Sequence, residues 1–142
     1  PALCLYYPNQ WGFELVEDHT VIAFGGGAHT IPARFWFNGA SIPAAFWQIT
    51  YSPYHPIILP WALAHDWFYC SHVVTREVAD ETLCHGIISM GGSEIKAGLI
   101  KAAVSNFGGM YWDDSREDKH YMRSLRQRII NSGRNPMAYG LS

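Results

Sequence analysis

The sequence has 142 residues and a formal net charge of −2, and its pI is about 6.4. This length suits one compact domain, which we place at residues 1–142. A charge so close to zero gives no general attraction to DNA or RNA, so we expect no nucleic-acid partner. The sequence shows neither a run of about 18 apolar residues nor a basic-then-apolar leader, so we expect no membrane span and no signal peptide.

The cysteines and the aromatic residues narrow the class of protein. Cys4, Cys70 and Cys84 form no C-x-x-C pair, which argues against a disulfide framework and a zinc knuckle and favours a reducing compartment. Aromatic residues make up 15% of the chain. This exceeds the need of a minimal core, so some rings are expected to line a groove or an assembly contact.

Residues 1–40 are predicted to form a small antiparallel β layer. Four short segments there are aromatic or β-branched and are separated by turn residues: Ala2–Tyr7, Trp11–Glu17, Thr20–Phe24 and Ile31–Phe37. The run Gly25-Gly26-Gly27 suits a loose hairpin. A phosphate-binding loop is disfavoured, because no helix start and no G-K-[ST] follows it.

Residues 41–133 are predicted to be helical. Ser41 can cap a short helix, and the apolar segment from about Ile58 to Cys70 resembles a buried helix. Three further helices are predicted by their capping residues and terminal glycines, and they run from Thr75 to Met90, from Ser93 to Asn106 and from Ser115 to Gly133. With a tail at 134–142, the fold class is α+β: a small N-terminal antiparallel β layer followed by a helical hairpin and two further helices.

The segment around His65 carries ionisable groups inside an otherwise apolar stretch. On a helix, His65 and Tyr69 lie on one face because positions i and i+4 are neighbours, whereas Asp66 points elsewhere. A short link at 71–74 makes the next helix fold back antiparallel. Residues equally distant from such a turn meet, so Asp80 is expected to lie opposite His65 and Tyr69.

Two interpretations of this meeting remain open. A carboxylate that accepts the N–H of His65 would fix its tautomer, as a water-activating site requires, and Asp66 would be available for a cation or for Arg76. Alternatively, the buried polar network serves only to hold two helices together. A zinc site can be drawn from His65, Asp66, Asp80 and Cys84, but no H-x-x-x-H or C-x-x-C spacing supports it.

Several motifs together resemble a phage and prophage family of unknown function. They are Phe35-x-x-Asn38-x-Ala40-Ser41-Ile42-Pro43, His65-Asp66-x-x-Tyr69, Arg76-x-x-Ala79-Asp80, and a late Phe107-Gly108 with Trp112. Asn38 stands where this family usually has an acid, and the acid is a candidate metal ligand. The resemblance implies a phage-encoded protein located in the host cytoplasm or the virion.

The helix pair alone resembles that of phospholipase A-two enzymes. Carried over residue by residue, this resemblance makes His65 the general base, Asp66 a calcium ligand, and Asp80 with Tyr69 the pair that orients the base. Asn38 is the second candidate ligand for Ca²⁺. The odd cysteine count cannot supply the disulfides that usually tie this helix pair together in those enzymes.

Two function hypotheses follow from these patterns. The first is a phage-encoded accessory hydrolase with catalytic residues His65, Asp80 and Tyr69 and with Ca²⁺ as a candidate cofactor. Its substrate would be an ester or amide of an envelope lipid or of the cell wall. The second is a non-catalytic virion or assembly component, or an inhibitor, that binds a phage or host protein through its surplus of aromatic rings.

Overall fold

The computed structural model describes residues 4–7, 12–37, 55–112 and 116–141. Five short strands in its N-terminal part form two antiparallel sheets. The strands are β1 (Cys4–Tyr7), β2 (Gly12–Leu15), β3 (His19–Ile22), β4 (Ala28–Ile31) and β5 (Trp36–Phe37). One sheet has the order β1-β2-β5, with Cys4 opposite Leu15, and the other pairs β3 with β4, with His19 opposite Ile31.

The predicted strand Ile31–Phe37 is wrong, because the chain turns in its middle. Pro32 lacks a backbone donor, and Arg34 has a φ of 78°, a left-handed conformation that interrupts extended structure. The chain therefore leaves β4 at Ile31 and enters β5 only at Trp36.

The other predicted strands are present as β1, β2 and β3. The strand predicted at Thr20–Phe24 ends at Ile22, because the N–H of Ala23 bonds the carbonyl of Gly27 at 2.8 Å and closes the hairpin loop. Gly25 and Gly26 have φ values of 94° and 102° in this loop. The glycine run thus forms the hairpin that its sequence predicts.

The helices follow the strands and confirm the α+β fold. They are α1 (Leu59–Ser71), α2 (Arg76–Ser89), α3 (Glu94–Phe107), α4 (Gly109–Trp112) and α5 (Arg116–Asn131). Thr75 accepts from the N–H of Val78, and Ser93 accepts from the N–H of Lys96, as expected of N-caps. The predicted caps Ser41 and Ser115 lie outside the described residues.

The segment predicted as a tail contains a 3-10 helix, Pro136–Tyr139. Asn135 caps this helix by accepting the N–H of Met137, and Gly140 ends it with a φ of 77°. Tyr139 is buried, because its ring joins the same core as the two sheets. The Tyr139 ring therefore anchors this 3-10 helix to the core.

Helix α1 contributes to two buried clusters. Its residues Leu63, Trp67 and Phe68 pack with the strands, α5 and the 3-10 helix. A second cluster includes residues of α1, α2 and α3, namely Ile58, Ala62, Leu83, Ile87, Ala97 and Ile100. The prediction of a helix that is buried on more than one side is thus confirmed, and His65 lies in the helix that both clusters share.

Helices α1 and α2 approach each other closely at Gly86. The indole of Trp61 lies against this glycine, so that a Cβ atom built there would be 2.0 Å from the ring. The same indole donates to the sulfur of Met90 at 3.0 Å. Within the part of the chain that the structure describes, no helix is long and apolar enough to cross a bilayer.

Candidate functional site

A helical hairpin builds the candidate site. Helix α1 ends at Ser71 and is capped by His72, whose φ of 54° is left-handed and whose N–H bonds the carbonyl of Phe68 at 2.9 Å. Thr75 then begins α2. This short link turns the chain back, so that α2 packs against α1 as the sequence predicts.

The structure brings His65, Tyr69 and Asp80 together. Nε2 of His65 lies 2.8 Å from Oδ1 of Asp80, and the hydroxyl of Tyr69 donates to the same oxygen at 2.6 Å. The rings of His65 and Tyr69 are 4.2 Å apart, as their i, i+4 spacing on one helix face requires. His65 is 6% exposed and Asp80 is 3% exposed, so the acid is almost completely withdrawn from water.

The hydrogen bonds of Asp80 outweigh the cost of burying its charge. Burial by itself would raise the pKa of Asp80, but the donors His65, Tyr69 and Ser105 stabilise the carboxylate and bring this pKa below its ordinary value. For Tyr69, burial and the bond to Asp80 raise the pKa well above its ordinary value. Asp80 is therefore the ionised member of the cluster, and Tyr69 is a neutral donor.

Two further residues belong to the cluster and were not predicted to do so. The hydroxyl of Ser105 donates to Oδ2 of Asp80 at 3.2 Å, and Nε of Arg76 donates to the hydroxyl of Tyr69 at 3.3 Å. Ser105 could have been found by the rule that located Asp80. Helices α2 and α3 are joined by a short link, and Asp80 and Ser105 are nearly equidistant from it.

Aromatic rings flank the outer side of Tyr69. Trp112 of α4 meets the Tyr69 ring edge-on at 5.1 Å, and the His72 ring stacks on Trp112 at 3.9 Å. His72 and His85 are exposed, as expected of histidines at a helix end or on the surface. Neither belongs to the cluster around Asp80.

Of the two candidate metal ligands, the structure describes Asp66 but not Asn38. Asp66 is half-buried on α1, next to His65 in sequence, and Asn38 lies outside the described residues. Among the residues that are described, no group of three His, Cys, Asp or Glu side chains could hold a metal ion. The four-residue zinc arrangement drawn from the sequence, which includes Asp80 and Cys84, is accordingly not formed.

The cluster can support general-base chemistry at His65. Because an ionised Asp80 only accepts hydrogen bonds, the proton between the two side chains lies on Nε2 of His65. When an imidazole that carries this proton is neutral, Nδ1 is the nitrogen with a free lone pair. The described part of the chain gives His65 no hydrogen bond other than the one from Nε2.

Comparison with known proteins gives one match. A family model described as a protein of unknown function (DUF1353) matches residues 13–104. No curated protein matches the chain, and no solved structure does. The matched segment includes His65, Tyr69, Arg76 and Asp80, and it ends one residue before Ser105.

Proposed function

The chain belongs to the DUF1353 family of proteins of unknown function, and we propose that it is a phage-encoded accessory hydrolase in which His65 activates water. The observation that carries this proposal is the hydrogen bond of 2.8 Å between Nε2 of His65 and the buried carboxylate of Asp80. A buried acid bonded to one imidazole nitrogen orients the ring and stabilises the cation that forms when the other nitrogen takes a proton.

The reaction would proceed by base-assisted attack of water. Nδ1 of His65 takes a proton as the water oxygen bonds to the carbonyl carbon of an ester or amide. Asp80 stabilises the resulting imidazolium, while Tyr69 keeps the carboxylate in place. The imidazolium then returns the proton to the leaving oxygen or nitrogen as its bond to the carbonyl carbon breaks.

The substrate class rests on the sequence resemblances. The phospholipase A-two helix pair implies the same roles for His65, Tyr69 and Asp80, and the phage-family motifs imply a phage-encoded protein. We therefore propose an ester or amide of an envelope lipid or of the cell wall as the substrate. The protein would act in the host cytoplasm or from the virion.

Calcium is a separate part of this proposal. Asp66 would supply one oxygen ligand, and Ca²⁺ requires six to eight oxygen ligands, many of which can be backbone carbonyls. No step of the reaction above is assigned to the metal. Measuring activity in the presence of Ca²⁺ and of a chelator tests this part alone.

The experiment compares three proteins on two substrates. Wild type, His65→Gln and His85→Gln are assayed on phospholipid vesicles and on peptidoglycan, each with Ca²⁺ and with chelator. His65→Gln retains a donor toward Asp80 but has no basic nitrogen, so we expect it to be folded and inactive. His85 is an exposed residue of α2 that pairs with Glu81 at 3.1 Å, and its variant should keep wild-type activity. Equal, null activity in all three proteins would reject the hydrolase.

A second candidate function is that of a non-catalytic virion component, assembly component or inhibitor that binds a phage or host protein. The observation in its favour is the outer face of α3, where Ile95 is 78% exposed and Leu99, one turn later, is 44% exposed. Neighbouring exposed aliphatic side chains are common in protein interfaces. If this role is correct, Ile95→Ser with Leu99→Ser should abolish partner binding, while His65→Gln should leave it intact.

A further inference from the structure

Arg76 connects the cluster around Asp80 to the C-terminal end of α3. It is the first residue of α2 and is half-buried. Besides its bond to Tyr69, its Nη2 donates to the carbonyls of Val104 at 3.2 Å and Ser105 at 2.6 Å. We propose that Arg76 is a positioning residue for the base His65, an inference that rests on the proposed function.

The two branches from Arg76 end on different oxygens of one carboxylate. One branch runs through the hydroxyl of Tyr69 to Oδ1 of Asp80, and the other runs through Ser105, whose hydroxyl donates to Oδ2. A guanidinium group holds both branches at once because its donors lie in a rigid plane. Arg76 thereby fixes the carboxylate plane that orients His65.

The end of α3 also favours a cation at this point. Ser105 is in the last turn of α3, where carbonyl groups lack helical partners and carry the negative end of the helix dipole. A guanidinium there satisfies a carbonyl and balances that charge. The contact thus stabilises the helix end while it sets the position of the Ser105 hydroxyl.

The backbone beyond α3 fits closely over Arg76 and Tyr69. A Cβ atom built on Gly108 would lie 2.7 Å from the Tyr69 hydroxyl and 2.3 Å from the carbonyl oxygen of Val104. A Cβ atom on Gly109 would lie 3.3 Å from Nη1 of Arg76. These two glycines allow the chain to cover the phenol and the guanidinium together.

The test uses a matched arginine elsewhere in the protein. Arg134 also donates to a tyrosine hydroxyl, that of Tyr139, at 3.1 Å, but it lies outside the proposed site. Full-length Arg76→Gln, Arg76→Lys and Arg134→Gln are compared with wild type. Each is assayed for kcat and KM on whichever of the vesicles and peptidoglycan the wild type hydrolyses. Each is also examined by ¹⁵N NMR for the Nε2-bound proton of His65.

We expect Arg76→Gln to lose roughly 10- to 100-fold in kcat, the range found when a group that orients a metal-bound histidine is replaced, with KM changed less than about twofold. The Nε2 proton of His65, protected in wild type, should exchange faster in this variant. Arg76→Lys should retain part of both properties, because an ammonium group cannot hold all three acceptors in one plane. Arg134→Gln should match wild type in kcat and in the NMR signal.

Two results would overturn this role. One is an Arg76→Gln protein with wild-type proton exchange at His65, and the other is an Arg134→Gln protein with the same loss as Arg76→Gln. If Arg76→Gln does not fold, Ser105→Ala, which removes only the donor to Oδ2, is measured in its place and should also speed the exchange. A wild-type protein without activity rejects the hydrolase alone, since the NMR comparison still decides whether Arg76 positions His65.

Discussion

A tyrosine, an aspartate and an arginine meet twice in this molecule. In the helical hairpin, Tyr69 donates to Asp80 at 2.6 Å and Arg76 donates to Tyr69 at 3.3 Å. We call this group, with His65, the hairpin cluster. Its acid has a side chain that is only 5% exposed.

The second meeting joins the C-terminus to the β3–β4 sheet. Tyr139 of the 3-10 helix donates to Asp18 at 2.7 Å, and Arg134 donates to Tyr139 at 3.1 Å and to Asp18 at 3.3 Å. We call this group the terminal cluster. Its acid, which also accepts the N–H of Ala33 at 2.8 Å, has a side chain that is 43% exposed.

The two clusters differ in exposure and in one residue type. Burial, followed by the bond to the acid, raises the pKa of both tyrosines, Tyr69 and Tyr139, so each phenol remains a neutral donor. The hairpin cluster adds a histidine, and its acid is shielded from water. The comparison teaches that one set of side chains can join a 3-10 helix to a sheet at the surface or, when buried with an imidazole, hold that ring in a fixed orientation.

Removal of the acid should give the largest difference in the free energy of unfolding between the two clusters. Asp80→Ala leaves the buried donors of His65 and Tyr69 without their acceptor, and we expect a loss of about 3–5 kcal/mol in the free energy of unfolding. Asp18→Ala exposes its former donors to water, and we expect a loss of about 0.5–1.5 kcal/mol. Urea denaturation measures both values, and equal losses would mean that burial does not distinguish the clusters.

Crowding the hairpin cluster should have the next largest effect. Gly108→Ala places a methyl group against the Tyr69 hydroxyl and the Val104 carbonyl, and such overpacking costs about 1–3 kcal/mol. The control is Gly98→Ala within α3, where a Cβ atom meets nothing within 4 Å. That variant should gain about 0.5–1 kcal/mol from helix propensity. Thermal unfolding of both proteins checks the opposite signs.

Removal of the tyrosine hydroxyl should give a smaller difference in the free energy of unfolding between the two clusters. Tyr69→Phe removes one of the buried bonds of Asp80 and should cost about 1–2 kcal/mol, whereas Tyr139→Phe should cost about 0.5–1 kcal/mol, since water can replace the lost donor. Guanidinium denaturation of the two single variants gives both numbers. A larger loss for Tyr139→Phe would contradict the ranking by exposure of the accepting acid, whose side chain is 5% exposed for Asp80 and 43% exposed for Asp18.

At any one pH, the contribution of Asp80 ionisation to the free energy of unfolding should be the smallest of these effects. The pKa of folded Asp80 lies below that of the unfolded carboxyl, about 3.9. Its stabilisation is therefore complete above that value and is lost as the pH falls through the lower folded value. One proton gives a slope of at most about 1.4 kcal/mol per pH unit.

Urea denaturation between pH 2 and 6, about two units either side of the ordinary carboxyl pKa, measures this slope. Asp80→Asn should lack this part of the slope. Gly98→Ala, which changes no titratable group, should keep the wild-type profile. A profile of Asp80→Asn that matches wild type would show that Asp80 does not contribute to the acid dependence.

The features that the sequence predicted follow from local patterns. The positions of His65 and Tyr69 follow from helical spacing, and that of Asp80 follows from a short link between two helices. The caps Thr75 and Ser93 are likewise set by neighbouring residues. Each of these inferences depends only on residues that are close in sequence.

The features that the sequence did not predict depend on contacts between distant segments or on backbone conformation. Tyr139 and Asp18 are 121 positions apart, and no periodicity connects them. The turn at Arg34 has a positive φ, and the sequence predicted a strand there instead because the residue is not glycine. Arg76 lies one turn before Asp80 on α2, but its acceptors belong to α1 and α3, so its role required their relative placement.

The contact of Trp61 with Gly86 has a consequence for the distance between the hairpin helices. Because residue 86 has no side chain, the indole of Trp61 fits between α1 and α2. Any side chain at that position would act as a wedge and force the helices apart. Since Gly86 lies less than two turns beyond Asp80 on α2, the wedge would also draw the carboxylate away from His65. A residue with no side chain therefore sets the length of the hydrogen bond on which the imidazole depends.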